Sequence, residues 1–387
     1  MPQAEYRINL FSPDSDAPVG AALTAVTGED GPVAEFAGFT LATATWHGEA
    51  DPAGEEVNHR LREATDGTAV NGAWRASRGG DRPARAVVLG RELDGPALAG
   101  VLGNLNSQGL IATGMRVLSS DFRAVELQLS GALTDAAEAT QEARSAADPA
   151  GVDVAVLPDE PTAADYGLLM MDMDSTLLAV ECIDEIAEHA GVKEQVAAIT
   201  ERAMNGELDF KGSLVERVKM LKGLPREVLE NVYRERIVPN PGARRLVEAC
   251  RGLGIKVAVV SGGFTFFTGL LAEDFGLDFT NANVLEVADG HLTGQVLGDI
   301  VDGAVKAETL RELRDQLGLT RDQLIAMGDG ANDLPMIGEA GLGLAFHAKP
   351  RVQERAPYKL SHNPLDGLLY LLGLTDKEIH TYRSRVT

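Results

Sequence analysis

Three short apolar segments mark the second half of the chain, each followed at once by Asp, Ser or Gly. They are Leu168–Met171, Lys256–Val260 and Leu324–Met327. Largely apolar runs of this length are typical of buried strands in a parallel sheet. Between the first two, apolar residues recur at helical spacing from about residue 183 to residue 245. The pattern predicts a doubly wound α/β domain over residues 165–387, with a helical cap at about 183–245.

The first half of the chain shows another order of elements, and shows it twice. In residues 84–157 the predicted strands and helices follow the order βαββαβ: Ala84–Leu89, Gly95–Gln108, Ile111–Leu118, Ala124–Leu129, Thr134–Ala147 and Val152–Leu157. Residues 6–76 repeat this order: Tyr6–Phe11, a helix from Pro18, strands through Val33–Thr45, a helix Gly54–Ala64 and a strand Ala69–Ala76. Turn-rich stretches at Gly79–Pro83 and Pro158–Thr162 follow the two repeats. We therefore predict one βαββαβ module at 1–80 and a second at 83–160.

Charge narrows the range of partners. The 387 residues include 58 acidic and 35 basic side chains, which gives a formal net charge of -23. A field of this sign repels nucleic acid and anionic membrane surfaces, so we expect neither as a partner. A phosphate-bearing ligand would need local cations to bind.

Cysteine usage and the N-terminal residues favour a cytoplasmic protein. Cys182 and Cys250 have no metal-ligand spacing and cannot form a disulfide framework, so we expect both to be buried apolar residues. No apolar run approaches the ~18 residues of a membrane span. The start, Met1–Glu5, lacks the basic end and apolar core of a signal peptide.

Polar residues follow all three predicted strands, at the edge where ligands bind in open α/β sheets. The first strand is followed by Asp172–Thr176, the second by Ser261–Gly263, and the third by Gly328–Asp333. An aspartate carboxylate is ionised at neutral pH, so Asp172 can attack phosphorus and form an aspartyl phosphate. Asp174 points to the same side of an extended backbone and can act as general acid and base.

A phosphate ester among carboxylates requires positive charge. Oxygen ligands from Asp172, Asp329 and the Asp174 carbonyl suit Mg²⁺. Lys306, at the start of a helix predicted to end at Leu317, would add a fixed charge toward the phosphate oxygens. Asp333 would not bind the metal directly but would orient the groups that do.

Hydrogen-bond donors complete the expected phosphate site. The Ser261 hydroxyl and the amides of Gly262 and Gly263, at an expected helix start, would hold the remaining oxygens. Asn332 would contact the phosphoryl group or the substrate. Taken singly, these residue types have ordinary alternatives as turn, cap or surface residues. Together, in this order, they favour a phosphotransferase site.

The four motifs resemble those of the haloacid dehalogenase superfamily of phosphotransferases. Within it, Leu177–Ala187 and Leu208–Val218 resemble the cap of the phosphoserine phosphatases. The resemblance implies that Glu181 binds the ammonium and Arg217 the carboxylate of O-phosphoserine, with Phe210 and Met204 as apolar lining. It also implies the last step of serine biosynthesis.

The two βαββαβ repeats resemble tandem ACT modules, which in other proteins bind amino acids at shared edges and dimerise. The resemblance implies an amino-acid effector and a homodimer. The usual glycine-bearing first loop is only approximate in Asp14–Gly20 and Leu93–Pro96. A scaffold used only for dimer contacts is the alternative.

Two other functions stay open at this point. One is the same chemistry on another small phosphomonoester, and the other is an amino-acid-sensing protein with a vestigial catalytic domain. Asp172, Asp174, Lys306 and Asp329 are all present, which argues against the second.

Overall fold

A computed structural model describes residues 3–14, 16–49, 55–76, 83–121, 124–204 and 209–386. The chain divides into two compact units. The first consists of Met1–Ala163, Pro357–Asn363 and Gly367–Glu378, and the second of Ala164–Ala356, Pro364–Asp366 and Ile379–Thr387.

The first repeat forms a four-stranded antiparallel sheet with two helices. Its elements are β1 (Gln3–Ser12), α1 (Val19–Thr27), β2 (Val33–Phe36), β3 (Phe39–Glu49), α2 (Glu55–Thr65) and β4 (Asn71–Ala76). The sheet order is β2-β3-β1-β4. Alternate residues of β1, among them Ile8 and Leu10, are buried together with Leu23 of α1 and Val57 of α2.

The second repeat has the same arrangement. Its elements are β5 (Ala84–Leu89), α3 (Gly95–Ser107), β6 (Ile111–Ser119), β7 (Ala124–Ser130), α4 (Ala136–Ala147) and β8 (Asp153–Pro158), and the sheet order is β6-β7-β5-β8. Asp94 and Asp135 cap the two helices by accepting hydrogen bonds from their first turns. The two βαββαβ folds predicted from the sequence are thereby confirmed.

The two modules contact each other inside the first unit. The Asn9 side chain donates to the Asn106 side chain (3.2 Å), and the Thr43 hydroxyl donates to the Thr113 carbonyl (3.1 Å). Gly95 opens α3 directly against the first module, because a Cβ there would lie 2.9 Å from the Pro13 carbonyl oxygen. Only glycine fits this close approach.

The remaining elements include the three predicted strands and the helices of the predicted insertion, together with a strand hairpin that the sequence pattern did not predict. They are β9 (Leu168–Met171), α5 (Cys182–His189), α6 (Lys193–Met204), α7 (Phe210–Lys219), α8 (Glu227–Glu235), α9 (Ala243–Leu253), β10 (Lys256–Phe264), α10 (Thr265–Phe275), β11 (Phe279–Ala288), β12 (His291–Leu297), α11 (Gly303–Leu317), β13 (Leu324–Gly328), α12 (Leu334–Glu339), β14 (Leu342–Phe346), α13 (Pro350–Gln353), β15 (Tyr358–Leu360), α14 (Gly367–Leu371) and α15 (Asp376–Arg383). Helices α5 to α8 lie in the insertion where the cap is predicted.

These strands form a seven-stranded sheet in the order β12-β11-β10-β9-β13-β14-β15. The central strand β9 is parallel to both neighbours, with Met171 opposite Val259 of β10 and Met327 of β13. The three predicted strands are therefore adjacent, and their carboxyl ends meet at one edge. The doubly wound α/β domain predicted from the sequence is confirmed.

Residues after β14 return to the first unit. Asp153 of β8 accepts hydrogen bonds from the Ser361 and His362 amides (2.8 and 3.0 Å), and Arg85 of β5 donates to the Leu371 carbonyl (2.8 Å). Strands β5 and β8 of the second module are thus hydrogen-bonded to residues more than 200 positions further along the chain.

Two further expectations concern the cysteines and membrane spans. Cys182 and Cys250 are both free and buried, as predicted. In the described part of the chain, no helix combines the length and the apolar character needed to cross a membrane.

Candidate active site

Asp172 follows the last residue of the central strand. Its amide donates to the Met327 carbonyl of the neighbouring strand (3.0 Å), which extends the sheet pairing to this residue. The Met173 amide donates to Asp172 Oδ1 (2.7 Å), and Oδ2 lies 2.7 Å from Lys306 Nζ. Each carboxylate oxygen therefore has a fixed donor, and the side chain is held in one orientation.

Lys306 is the cation of the site. It lies on α11, one turn after the capping residue Asp302, and its side chain is fully buried. Its Nζ is 2.7 Å from Asp172 Oδ2 and 2.7 Å from Asp333 Oδ1. Burial alone would lower the pKa of this amine, but the two adjacent carboxylates outweigh burial and raise the pKa above its ordinary value.

Three carboxylates converge beside this lysine. Oxygens of Asp172, Asp329 and Asp333 lie within 4.8 Å of one another. Burial and repulsion by the neighbouring carboxylates raise the pKa of Asp329 to about 8, and the same causes raise the pKa of Asp333 to about 6. One lysine cannot neutralise three carboxylates, so the cluster fits an additional hard cation with oxygen ligands.

Asp174 lies beside Asp172 in a different environment. Its Oδ1 accepts a hydrogen bond from the Cys182 amide at the start of α5 (3.2 Å). Burial, followed by repulsion from Glu181 and Asp172, raises the pKa of Asp174 well above its ordinary value. Two carboxylates two positions apart thus have different environments, as acid/base chemistry requires.

Most of the predicted residues line one pocket of about 130 Å³. From the predicted set, the lining includes Asp172, Asp174, Glu181, Phe210, Arg217, Ser261, Gly262, Asp329 and Asn332. Lys306 and Asp333 are outside this lining but hydrogen-bond to each other, and Lys306 contacts Asp172. The Met204 side chain lies outside the described residues.

The cap contributes opposite charges to the pocket. Desolvation and repulsion from Asp172 and Asp184 raise the pKa of Glu181, although a Ser175 hydrogen bond and Arg217 oppose them. Arg217 lies on α7, and its Nε is 3.4 Å from the Ser213 carbonyl oxygen. A further contact joins α7 to the capping residue of α11, because Lys211 Nζ is 2.9 Å from Asp302 Oδ2.

The second motif differs from its prediction. Strand β10 continues through Phe264, so α10 begins at Thr265 rather than at Gly262. The Gly263 amide donates to Ser261 Oγ (2.9 Å), and the Gly262 carbonyl accepts from the Asn283 side chain (2.8 Å). The expected helix start at these two glycines was wrong, because both remain extended within the strand.

Three further polar residues support the site, and sequence reasoning assigned them no role. The Thr176 hydroxyl donates to Asp329 Oδ1 (3.1 Å), and Asn283 also accepts from the Val301 amide (2.9 Å). The Asn240 side chain donates to the carbonyls of Thr176 (2.7 Å) and Leu178 (2.9 Å). Thr176 belongs to the first motif and could have been noticed there. The partners of Asn240 are main-chain atoms more than 60 positions away, which leave no sequence signal.

Comparison with known proteins covers both the site and the fold. The sequence model of the haloacid dehalogenase-like hydrolase family matches residues 169–338 of this chain. A phosphoserine phosphatase from Polaromonas sp. is 52% identical over 227 residues, which cover 57% of this chain and 96% of the relative.

Two solved structures are also similar. One is a probable phosphoserine phosphatase from Vibrio cholerae, with 36% identity and a TM-score of 0.63, covering 78% of this chain and 89% of that chain. The other is described as a phospho-aspartyl intermediate analogue of phosphoserine phosphatase, with 42% identity and a TM-score of 0.51, covering 53% of this chain and 98% of that chain.

The fold and the matched motifs define the class first: a haloacid dehalogenase-like hydrolase. Within that class, the chain belongs to the phosphoserine phosphatase family.

Proposed function

We propose that this protein hydrolyses O-phosphoserine to serine and phosphate with Mg²⁺ as cofactor, as the last step of serine biosynthesis. The observation that carries the proposal is a single pocket lined by Asp172 and Asp174 together with the oppositely charged Glu181 and Arg217. Such a pocket offers groups for phosphoryl chemistry and for a zwitterion at the same time.

The first step transfers the phosphoryl group to the protein. An Asp172 carboxylate oxygen attacks phosphorus, the bond from phosphorus to the serine oxygen breaks, and Asp174 gives its proton to that oxygen. The raised pKa of Asp174 supports this donor role, because burial favours the protonated form of the carboxyl. Serine leaves, and an aspartyl phosphate remains on Asp172.

The second step regenerates the carboxylate. Asp174, now ionised, takes a proton from water, the water oxygen attacks phosphorus, and the bond from phosphorus to Asp172 breaks. Phosphate is released, and Asp174 has recovered its proton. Lys306 stays paired with Asp172 and Asp333 on one side and can direct its remaining N–H toward a phosphoryl oxygen.

Mg²⁺ fits the carboxylate cluster, with Asp172, Asp329 and the Asp174 carbonyl as proposed ligands. When bound, it supplies positive charge that offsets repulsion between the carboxylates and the phosphoryl oxygens. Asp333 supports the site through its hydrogen bonds to Lys306 Nζ and the Gly330 amide (2.9 Å).

Substrate choice is assigned to the cap side of the pocket. A guanidinium pairs bidentately with a carboxylate, and a carboxylate complements an ammonium, so Arg217 and Glu181 together select an α-amino acid. Ser261, Gly262 and Asn332 line the same pocket and would contact the ester and phosphoryl oxygens, while Phe210 would supply apolar lining.

A phosphate-release assay tests this function. The substrates are O-phosphoserine, O-phosphothreonine and phosphoethanolamine, each with Mg²⁺ and after chelation. We expect the highest turnover on O-phosphoserine and loss of turnover on chelation. Higher kcat/KM on either other ester, or turnover unaffected by chelation, would contradict the proposal.

Replacing Arg217 with alanine should change selectivity more than chemistry. Loss of a buried charged contact costs about 2 kcal/mol or more, so kcat/KM for O-phosphoserine should fall about 30-fold or more. Phosphoethanolamine has no carboxylate, so its kcat/KM should change little. Steady-state kinetics on both esters measure the difference.

Lys219→Ala is the matched control, because Lys219 is an exposed cation on the same helix and does not line the pocket. This variant should leave both substrates unaffected. An Arg217→Ala penalty of equal size on both esters would rule out the carboxylate role.

The N-terminal modules are proposed to bind an amino acid and to pair two copies of the chain. Their ferredoxin-like folds and their mutual packing support this proposal. Deleting them is not a clean test, because Arg85 and Asp153 hold residues near the C-terminus.

Serine binding to full-length Arg217→Ala separates an effector site from the active site. The variant lacks the active-site carboxylate contact, so an independent site should still bind about one serine per chain by calorimetry. Light scattering on the same sample should give the mass of a dimer. Loss of all serine binding in this variant would argue against an effector site.

A further inference from the structure

Ser175 has a backbone conformation that side chains disfavour. Its φ is 55° and its ψ is 2°, in the left-handed region. A Cβ there crowds the following carbonyl, so glycine or asparagine is the usual residue. A serine in this disfavoured conformation indicates that its hydroxyl has a functional role.

The hydroxyl of Ser175 reaches Glu181. Ser175 Oγ donates to Glu181 Oε1 at 2.7 Å, and the Ser175 amide donates to the Val180 carbonyl at 3.3 Å. One residue thus closes the loop 175–181 through both its main chain and its side chain. The loop connects the motif that carries Asp174 to the start of α5.

Glu181 occupies the N-cap position of α5, where a short side chain such as Asp or Ser commonly accepts hydrogen bonds from amides of the first turn. Its side chain makes no such cap and accepts from Ser175 instead. Among the described residues, those lining the pocket include Asp174 and Glu181 but not Ser175. Ser175 therefore acts on the pocket through Glu181.

We propose that Ser175 is a positioning residue that turns Glu181 away from its helix and toward the substrate ammonium. This inference rests on the proposed function. It assigns to Ser175 the discrimination between phosphoesters that carry an α-ammonium and those that lack one. The left-handed backbone is retained because the hydrogen bond requires a side chain there.

Two variants and two substrates test the assignment in the full chain. Ser175→Ala removes the hydroxyl, and Ser175→Gly also removes the disfavoured conformation. The substrates are O-phosphoserine and 3-phosphooxypropanoate, which is the same molecule without its amine. Losing a hydrogen bond to a charged group should raise the KM for O-phosphoserine about tenfold, with kcat changed less than threefold. The preference for O-phosphoserine over the amine-free ester should fall by a similar factor.

Thermal unfolding separates positioning from structural support. Ser175→Gly should unfold at the same temperature as the wild type or higher, while showing the same selectivity loss as Ser175→Ala. A structural role would instead lower the unfolding temperature. The exposed Ser384, whose hydroxyl donates to the Thr381 carbonyl, provides the control variant Ser384→Ala.

A double-mutant cycle with Glu181→Gln shows whether Ser175 acts through Glu181. If it does, Ser175→Ala should have little further effect on selectivity once Glu181 is changed. Additive effects, or equal losses on both substrates, would overturn this inference but leave the proposed function standing. Failure of the wild type to prefer O-phosphoserine would overturn the proposed function and this inference together.

Discussion

Replacing Asp172 with asparagine should reduce kcat on O-phosphoserine by at least about 10³-fold while leaving the protein folded. The amide has the shape of the carboxylate but cannot attack phosphorus. Its oxygen can still accept from the Met173 amide, whereas its NH₂ group would face the ammonium of Lys306. Lys306 keeps its bond to Asp333, so we expect the unfolding temperature to change by only a few degrees.

Turnover and covalent trapping measure this prediction together. The wild type quenched in acid during turnover of labelled O-phosphoserine should carry label on Asp172, and the variant should carry none. Asp315→Asn, an exposed carboxylate on the Lys306 helix, is the control. Activity of Asp172→Asn within tenfold of wild type, a barrier change of only about 1.4 kcal/mol, would remove Asp172 from the nucleophile role.

The position of the active site at one edge of the large sheet was predictable, because the strands that end there carry strong local signals. Leu168–Met171, Val257–Val260 and Leu324–Met327 are buried on both faces, which leaves largely apolar runs in the sequence. A parallel sheet then brings the ends of these strands together whatever the length of the connections. Close placement of Asp172, Ser261 and Gly328 follows from that topology.

The hairpin β11–β12 was not predicted, and the reason is its place in the sheet. It lies at one edge, and Val284, Val287 and Leu297 on it are exposed, so no buried face imposes a clear pattern. The end of β10 was misjudged for a related reason. Ser261–Gly263 has the composition of a turn, and only pairing with β11, up to Phe264 opposite Asn283, shows that the strand continues.

The N-terminal modules show that element order can predict topology when sequence similarity is weak. Both repeats form sheets with the same strand order, because a βαββαβ chain with both helices on one face has few compact solutions. Side-chain contacts such as Asn9 to Asn106 were beyond prediction, since they depend on how the two sheets meet.

Removing the charge of Lys306 should cost stability as well as activity. In Lys306→Met, Asp172 and Asp333 each lose a partner at 2.7 Å and remain beside Asp329. Removing one partner of a buried ion pair typically costs about 3–5 kcal/mol of unfolding free energy. Turnover should fall by about 10³-fold or more, because the phosphoryl oxygens also lose a cation.

The stability loss in Lys306→Met should depend on pH in a defined direction. With the amine present, the pKa of Asp329 is already raised to about 8 and that of Asp333 to about 6. Lys306 is one of the groups that lower the pKa of Asp333, so without the amine that carboxyl holds its proton still more tightly. A carboxyl group whose pKa is higher in the folded state than in the unfolded state binds more protons when folded, so stability falls as pH rises from about 4 toward 8. Urea unfolding at pH 5 and pH 8, without Mg²⁺, should therefore show a larger deficit relative to wild type at pH 8.

Lys306→Arg distinguishes charge from shape at the same position. The Lys306 side chain is fully enclosed, so a guanidinium would restore positive charge but not fit the point-like site between two carboxylates. We expect the arginine variant to recover part of the stability at pH 8 and little of the turnover. Should Lys306→Met match the wild type in stability at both pH values and retain turnover within tenfold, the buried ion-pair network would have neither a structural nor a catalytic role.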